Sequence, residues 1–170
     1  RSCSPGRVPG PDVAAYYRAR AEGGVGLILT EGVYLPVPQS GFNARVPAMY
    51  GDAALAGWRR VVDQVHAAGA RIMPQLWHVG AWMMPNEQVD PAAPPLGPSG
   101  VGPKGTVAPG RAMTQADIDQ VIDAYATAAV NAQAVGFDGV EIHAAHGYLL
   151  DQFFWDVTNR RTDRYGGDVA

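Results

Sequence analysis

Residues 114–143 read TQADIDQVIDAYATAAVNAQAVGFDGVEIH, and this stretch decides the fold. Residues 114–135 place apolar side chains at three- and four-residue intervals, which is the period of an amphipathic helix. The helix opens with Thr114-Gln115-Ala116-Asp117, a pattern like a capping box. Gly136 then ends it, and the short run 138–143 suits a buried strand. The stretch therefore predicts a helix that leads through a glycine into a strand.

The same order of helix, glycine and strand occurs twice upstream. In the first unit, the predicted helix 11–22 is followed by Gly23 and the predicted strand 25–30. In the second, the predicted helix 52–68 is followed by Gly69 and the predicted strand 71–77. Asp52 is a plausible N-cap of the second helix. No hairpin signal separates these units, so we expect parallel strands with helical crossovers. An α/β fold follows, as a doubly wound sheet or a (β/α) barrel. Pro74 cannot donate to a strand ladder and predicts a local irregularity.

Residues 81–113 interrupt this order with a stretch rich in proline and glycine. Such a stretch predicts a long loop. Long loops inside compact domains are usually functional, so we interpret this one as a lid or binding loop. A disordered insertion is the alternative.

Composition narrows the classes of partner. The chain has 170 residues, 47% of them hydrophobic, and a net charge of -3, which predicts a soluble globular domain with one sizeable core. Without a block of Lys and Arg we expect no nucleic-acid or membrane-surface partner, and no apolar run reaches the roughly 18 residues of a membrane span. Cys3 is the single cysteine, so an internal disulfide is excluded. We expect a cytoplasmic protein with a small-molecule partner.

The strand ends carry the residues suited to chemistry, because ligands of parallel α/β folds bind beyond the carboxyl ends of the strands. The strongest pattern is His143-x-x-His146-x-Tyr148. A zinc site is one interpretation, but it lacks an evident third and fourth ligand. A pair of core histidines is the second. In the third, two imidazoles grip a substrate oxygen while Tyr148 transfers a proton, since a tyrosine with a pKa of about 10 keeps its proton near neutrality.

Five segments, in order along the chain, resemble the old yellow enzyme family. They are Arg1-Ser2 followed by Tyr16-Tyr17, GLILTEG at 26–32, QLWHVG at 75–80, GFDGVEIHAAHGYLLDQF at 136–153 and NRRTDRYGG at 159–167. The resemblance covers essentially the whole chain. It implies a (β/α)8 TIM barrel, an FMN cofactor, NADH or NADPH as hydride donor, and an ene-reductase that reduces the C=C bond of α,β-unsaturated carbonyl compounds.

The resemblance also implies roles for single residues. Gln75 matches the glutamine that holds the pyrimidine edge of the flavin, and an amide suits this because it offers donor and acceptor together. Gly32 matches a residue close to the flavin, although a plain strand-end turn explains this glycine equally well. Trp77 matches a residue of the substrate pocket, although a tryptophan there is often core.

For the reaction itself, the resemblance implies that His143 and His146 bind the substrate's carbonyl oxygen and stabilise the developing charge. His143 also counts among the residues next to the flavin. Tyr148 matches the proton donor to the α carbon, while hydride passes from the flavin to the β carbon.

Length sets the last expectation. A (β/α)8 barrel takes about 250 residues, whereas three strands are clear here. We therefore expect residues 1–170 to form one partial barrel domain of three to four βα units, the N-terminal half, without the flavin phosphate site. Open sheet edges would favour a homo-oligomer. The alternative function is a non-catalytic half-barrel that cannot bind flavin on its own.

Overall fold

The computed structural model describes residues 2–82, 92–103 and 110–167, which form two compact units. The first consists of Arg1–Pro36, Asn43–Trp77 and Asp123–Ile142, and the second of Val37–Phe42, His78–Ile122 and His143–Ala170. The α-helices and β-strands, in chain order, are α1 (Pro11–Glu22), β1 (Leu27–Tyr34), α2 (Asp52–Ala67), β2 (Arg71–Trp77), β3 (Leu96–Gly97), β4 (Arg111–Ala112), α3 (Gln115–Val135), β5 (Glu141–Ile142) and α4 (Leu149–Phe154). Short 3-10 helices occur at Pro5–Arg7 and Pro38–Ser40.

The first unit is built on a parallel sheet with the strand order β1-β2-β5. The parallel α/β arrangement predicted from the sequence is therefore confirmed. The described part of the predicted loop 81–113 contains β3 and β4, which pair in parallel, while residues 83–91 and 104–109 lie outside the described residues.

Pro74 causes the predicted irregularity, but the extra residue lies in the partner strand. Leu29 pairs with Met73 and Gly32 with Gln75, so β1 advances three residues where β2 advances two. The main-chain N–H of Gln75 donates to the hydroxyl of Thr30 at 3.2 Å. A side chain of the bulge thus completes the hydrogen bonding beside the proline.

Helix α2 buries one face in the core of the first unit. Trp58, Val61 and Val65 on this face are fully buried, and the Trp58 indole N–H donates to the carbonyl of Ala48 at 3.0 Å. The predicted N-cap was wrong. Asp52 is the first helical residue, and the cap is Gly51 with φ 79° and no side-chain hydrogen bond.

Asp138 fixes the approach to β5. Its carboxylate accepts the Ile72 N–H and an Arg71 N–H, each at 2.8 Å, and lies 2.8 Å from Nε2 of His66. Burial would raise the pKa of Asp138, but the hydrogen bonds of His66, Ile72 and Arg71 outweigh burial and lower it. Because the side chain occupies the Ile72 N–H, the predicted strand 138–143 is wrong in extent, and β5 covers Glu141–Ile142.

The second unit holds the amino end of α3 and all of α4. The predicted capping box is confirmed, since the Thr114 N–H donates to Asp117 at 2.7 Å and the Asp117 N–H donates to the Thr114 hydroxyl at 3.2 Å. Arg161 ties the 159–167 segment to this unit by donating to the carbonyls of Pro98 at 2.9 Å and Met113 at 2.6 Å. The segment thus has a structural role.

None of the helices in the part of the chain that the structure describes combines the length and the apolar character that a membrane span requires.

Candidate functional site

Three of the predicted site residues meet in the second unit, directly after β5. The ring centroids of His143 and His146 are 5.4 Å apart with planes at 84°, and those of His143 and Tyr148 are 4.9 Å apart at 76°. His143 and Tyr148 are half-buried, whereas His146 is exposed. The two imidazoles and the phenol therefore form one compact group that reaches solvent.

An unusual backbone turn brings these side chains together. His146 and Gly147 both have left-handed backbones, with φ 59° and 78°. For a residue with a side chain, this conformation costs about 1–2 kcal/mol. Tyr148 follows as the N-cap of α4, and its N–H donates to the carbonyl of Ala145 at 3.2 Å. The turn places His146 and Tyr148 on either side of one small residue.

A concavity of about 520 Å³ adjoins this group within the second unit. The Tyr148 ring stands edge-on to Trp82, with centroids 6.1 Å apart. The described lining residues are Trp82, Pro103, His146, Gly147, Asp151, Phe154 and Trp155. Aromatic walls with a few polar groups are typical of small-molecule sites, and the volume is within their usual range.

Gln75, Gly32 and Trp77 lie in the first unit, on β2 and β1. Gln75 is half-buried and directly follows Pro74. Its carboxamide makes no hydrogen bond to any residue within the described ranges, although its main-chain N–H is bonded to Thr30. This amide group is therefore available for a ligand.

Packing against Trp77 explains why position 32 is a glycine. A Cβ added to Gly32 would lie 2.4 Å from the indole ring of Trp77, so a larger residue would collide with it. Trp77 itself is 6% exposed, and its ring centroid lies 5.4 Å from that of Tyr34. The core interpretation of Trp77 thus has direct support, and Gly32 is needed for packing whether or not a flavin approaches it.

The predicted site residues accordingly fall into two groups. His143, His146 and Tyr148 are brought together in one unit, and Gln75, Gly32 and Trp77 in the other. That the two groups face one cavity stays a prediction. Across the described ranges, no cluster of three or more His, Cys, Asp or Glu side chains could hold a metal ion.

Two residues of the second unit that sequence reasoning missed support the turn. His78 is fully buried, its Nδ1 accepts the Gly80 N–H at 3.0 Å, and burial lowers its pKa to about 3. Its carbonyl accepts the Leu149 N–H at 3.1 Å. Gln152 is also fully buried, in the first turn of α4. A polar residue on the buried side of a helix that follows a polar motif is the signal that could have identified Gln152.

The chemistry open to the first group follows from its donors. An imidazole N–H can donate to a carbonyl oxygen, and two such donors stabilise negative charge that develops there. A tyrosine hydroxyl can transfer a proton to carbon when the geometry is right. The group can therefore polarise a carbonyl compound and protonate it.

The chain is similar to known proteins over nearly its whole length. Residues 1–170 match the NADH:flavin oxidoreductase / NADH oxidase family. The chain is 39% identical to 12-oxophytodienoate reductase 7 of Oryza sativa subsp. japonica over 181 aligned positions, which cover 97% of this chain and 44% of that protein. The chain thus spans less than half the length of this curated relative.

Solved structures show the same likeness. The old yellow enzyme homologue from Zymomonas mobilis gives a TM-score of 0.87 at 36% identity, covering 99% of this chain and 49% of that one. Morphinone reductase in complex with tetrahydroNAD gives a TM-score of 0.85 at 37% identity, with the same two coverages of 99% and 49%. The predicted fold class, part of a (β/α)8 barrel, is confirmed by these neighbours. Because the family match extends over residues 1–170, the chain belongs to the NADH:flavin oxidoreductase / NADH oxidase family, as the resemblance to old yellow enzymes predicted.

Proposed function

We propose that this chain carries the substrate-activating residues of an FMN-dependent ene-reductase. The enzyme reduces the C=C bond of α,β-unsaturated carbonyl compounds at the expense of NADH or NADPH. The observation that carries the proposal is the group of His143, His146 and Tyr148, whose ring centroids lie within 5.4 Å of His143. The family match supports the oxidoreductase class.

FMN fits the residues that are present. The carboxamide of Gln75 makes no hydrogen bond to the described residues, and it offers a donor and an acceptor near the carboxyl end of β2, which suits the edge of a flavin ring. We keep Gly32 and His143 as further residues next to the ring, although Gly32 is already required by Trp77. A nicotinamide donor is supported by the related morphinone reductase, whose structure contains tetrahydroNAD.

His143 and His146 bind the substrate. Each donates an imidazole N–H to the carbonyl oxygen, and together they stabilise the enolate-like charge that develops on it. When bound, the flavin supplies the hydride that adds to the β carbon. Tyr148 donates its hydroxyl proton to the α carbon. The short distances among the three rings allow both donors and the phenol to reach one small molecule.

The other expectations from the sequence concern Trp77, the alternative function, the domain, the location and the oligomeric state. Trp77 is proposed to line the substrate pocket with one edge, since 6% of its surface is exposed. The comparisons do not favour the alternative of a half-barrel without catalytic function. A single domain over residues 1–170, a cytoplasmic location and a homo-oligomer stay predictions.

Tyr148→Phe in the complete flavoprotein tests the proposal. Loss of the proton donor should slow alkene reduction by about 100-fold or more, because general acids contribute factors of this size. Flavin reduction by the nicotinamide needs no proton from Tyr148 and should keep its rate. Stopped-flow absorbance separates the two half-reactions.

Tyr165→Phe is the matched control. Its hydroxyl is hydrogen-bonded to the side chains of Gln115 at 3.2 Å and Arg164 at 2.6 Å. Tyr165 is distant in sequence from His143 and His146, and removal of its hydroxyl should leave the rates of both half-reactions unchanged. Equal slowing of both half-reactions by Tyr148→Phe would show that the phenol acts in packing, and the proposed role would fail.

A further inference from the structure

The side-chain amide of Gln152 makes three hydrogen bonds to main-chain groups in the second unit. Its Oε1 accepts the Ala81 N–H at 3.0 Å. Its Nε2 donates to the carbonyls of Val79 at 3.2 Å and Gly147 at 2.6 Å. Both protons and the oxygen of the amide are thus engaged, in a side chain with no exposed surface.

These partners fix the chemical identity of the side chain. One partner is a donor and two are acceptors, so the group between them must offer one acceptor and two protons in a planar arrangement. A glutamine does this, whereas a glutamate would turn an oxygen towards two carbonyls. The surrounding chain is shaped to the amide, because a Cβ at Gly80 would lie 2.4 Å from Oε1 and one at Gly97 would lie 3.1 Å from it.

Gly147 is the residue that this amide holds. Its carbonyl accepts from Gln152, and its N–H donates to Asp151 at 2.7 Å. Side chains from the first turn of α4 therefore hold Gly147 at both of its main-chain groups. Gly147 has a left-handed backbone and stands between His146 and Tyr148. Any rotation of its peptide planes would move both neighbouring side chains.

We propose that Gln152 is a positioning residue for the reaction, which sets the orientation of Tyr148 and His146 by clamping Gly147 to the 79–81 segment. The inference rests on the proposed function, because it assigns Gln152 to the proton-transfer step of the same site. Gln152 does not touch the reacting atoms. Its effect passes through the peptide groups on either side of Gly147, and displacement of a catalytic group by about 1 Å can reduce a rate by about 100-fold.

Gln152→Glu is the decisive variant, since it keeps the size and replaces the two protons by an acceptor. In the complete flavoprotein, alkene reduction should slow by about 100-fold relative to flavin reduction. Proton transfer from the displaced Tyr148 then limits the rate, so D₂O should slow the variant more than the wild type. A residue that only stabilises the fold would change neither the ratio of the half-reactions nor the solvent isotope effect.

Thr158→Val is the matched control. Thr158 is equally buried, and its hydroxyl donates to the carbonyl of Gln152 at 2.8 Å, so the variant loses a buried hydrogen bond next to the same helix. The amide of Gln152 keeps its three partners. Thr158→Val should lower the melting temperature and leave the ratio of half-reactions unchanged. If both variants changed the ratio equally at equal loss of stability, the positioning role would be overturned.

Amide hydrogen exchange tests the hydrogen bonds of Gln152 independently of the proposed function. The Ala81 N–H should be protected in the wild type and in Thr158→Val, and exposed to exchange in Gln152→Met, which lacks the acceptor and also serves if the glutamate variant does not fold. Rapid exchange at Ala81 in the wild type would refute the clamp without any variant. Protection at Ala81 in a wild type that reduces no alkene would instead refute the proposed function and leave the clamp without a reaction to serve.

Discussion

Two polar clusters, one in each unit, use a side chain to hold a neighbouring stretch of main chain. The charged cluster consists of Asp138, Arg71, His66 and the Ile72 N–H, and it fixes the approach to β5. The neutral cluster consists of Gln152, His78 and the main chain of residues 79–81 and 147, and it fixes the turn between His146 and Tyr148. The two clusters do the same structural task with different chemistry.

The difference predicts which cluster fails first in acid, and the neutral cluster is the more sensitive. The Asp138 pKa is lowered in the folded state, so its stabilising effect is present above the unfolded value of about 4 and is lost as pH falls below it. The pKa of buried His78 is lowered to about 3 from an unfolded value of about 6.5. The unfolded state then binds the extra proton throughout this interval, so stability falls as pH drops through it.

The largest effect at neutral pH is expected for Asp138→Ala. The variant leaves the Ile72 N–H and His66 without their acceptor, and we expect it to lower the free energy of unfolding by about 3 kcal/mol. Urea unfolding near neutral pH measures this loss. At a pH below about 4 the difference between variant and wild type should shrink, because the unfolded wild type then takes up a proton at Asp138, whereas the folded state, with its lowered pKa, takes it up only at a lower pH.

Asp163→Ala is a suitable control for Asp138→Ala. Asp163 also pairs with an arginine, Arg161, but its side chain is 46% exposed. Asp163→Ala should lower the free energy of unfolding much less than Asp138→Ala does. A loss of equal size would show that the charged cluster owes nothing to burial or to the Ile72 N–H.

The second effect is the acid sensitivity of the neutral cluster, tested by His78→Gln. Between about pH 7 and pH 5, protonation of one unfolded histidine should cost the wild type about 2 kcal/mol that the variant does not lose. Chemical unfolding across this range should therefore show the two stabilities converging as pH falls. The variant itself is less stable at pH 7, because the fully buried imidazole is lost.

Thr158→Val separates this titration from general destabilisation. It removes a buried polar group that does not titrate in this range, so its stability should run parallel to the wild type from about pH 7 to pH 5. If the stability of His78→Gln also ran parallel to that of the wild type between about pH 7 and pH 5, His78 would not be the group that makes the neutral cluster acid-sensitive.

The sequence predicted the regular elements well where local periodicity decided them. Helix α1 and strand β2 have the predicted bounds, and α3 begins one residue later than predicted. The strand ends were less predictable because they depend on partners distant in sequence. Strand β1 continues to Tyr34 through a bulge opposite Pro74, where Glu31-Gly32 had suggested an end, and the Asp138 carboxylate shortens β5.

The residues of the candidate site were likewise predictable only where they are neighbours along the chain. His143, His146 and Tyr148 could be proposed from the sequence because they are close together along the chain. Gln152 and His78 could not, because their roles depend on which main-chain groups the fold presents to them. The packing of Trp77 over Gly32 is likewise a contact between two strands, and no local pattern announces it.

The smallest expected effect concerns the rim of the charged cluster, and Arg71→Gln tests it. Arg71 donates to Asp138 at 2.8 Å, but its side chain is 71% exposed, so solvent screens the pair. Exposed ion pairs contribute about 0–1 kcal/mol, and we expect a loss of about 0.5 kcal/mol that disappears in roughly 1 M salt. His66→Gln is the comparison variant, because the His66 side chain is only 33% exposed. It should lower the free energy of unfolding more than Arg71→Gln does, and this loss should depend less on salt. Urea unfolding at low and high salt distinguishes the two. If Arg71→Gln cost as much as Asp138→Ala, the exposed arginine would be the principal partner of Asp138, and the stability of the charged cluster would depend on ionic strength rather than on its buried N–H and imidazole contacts.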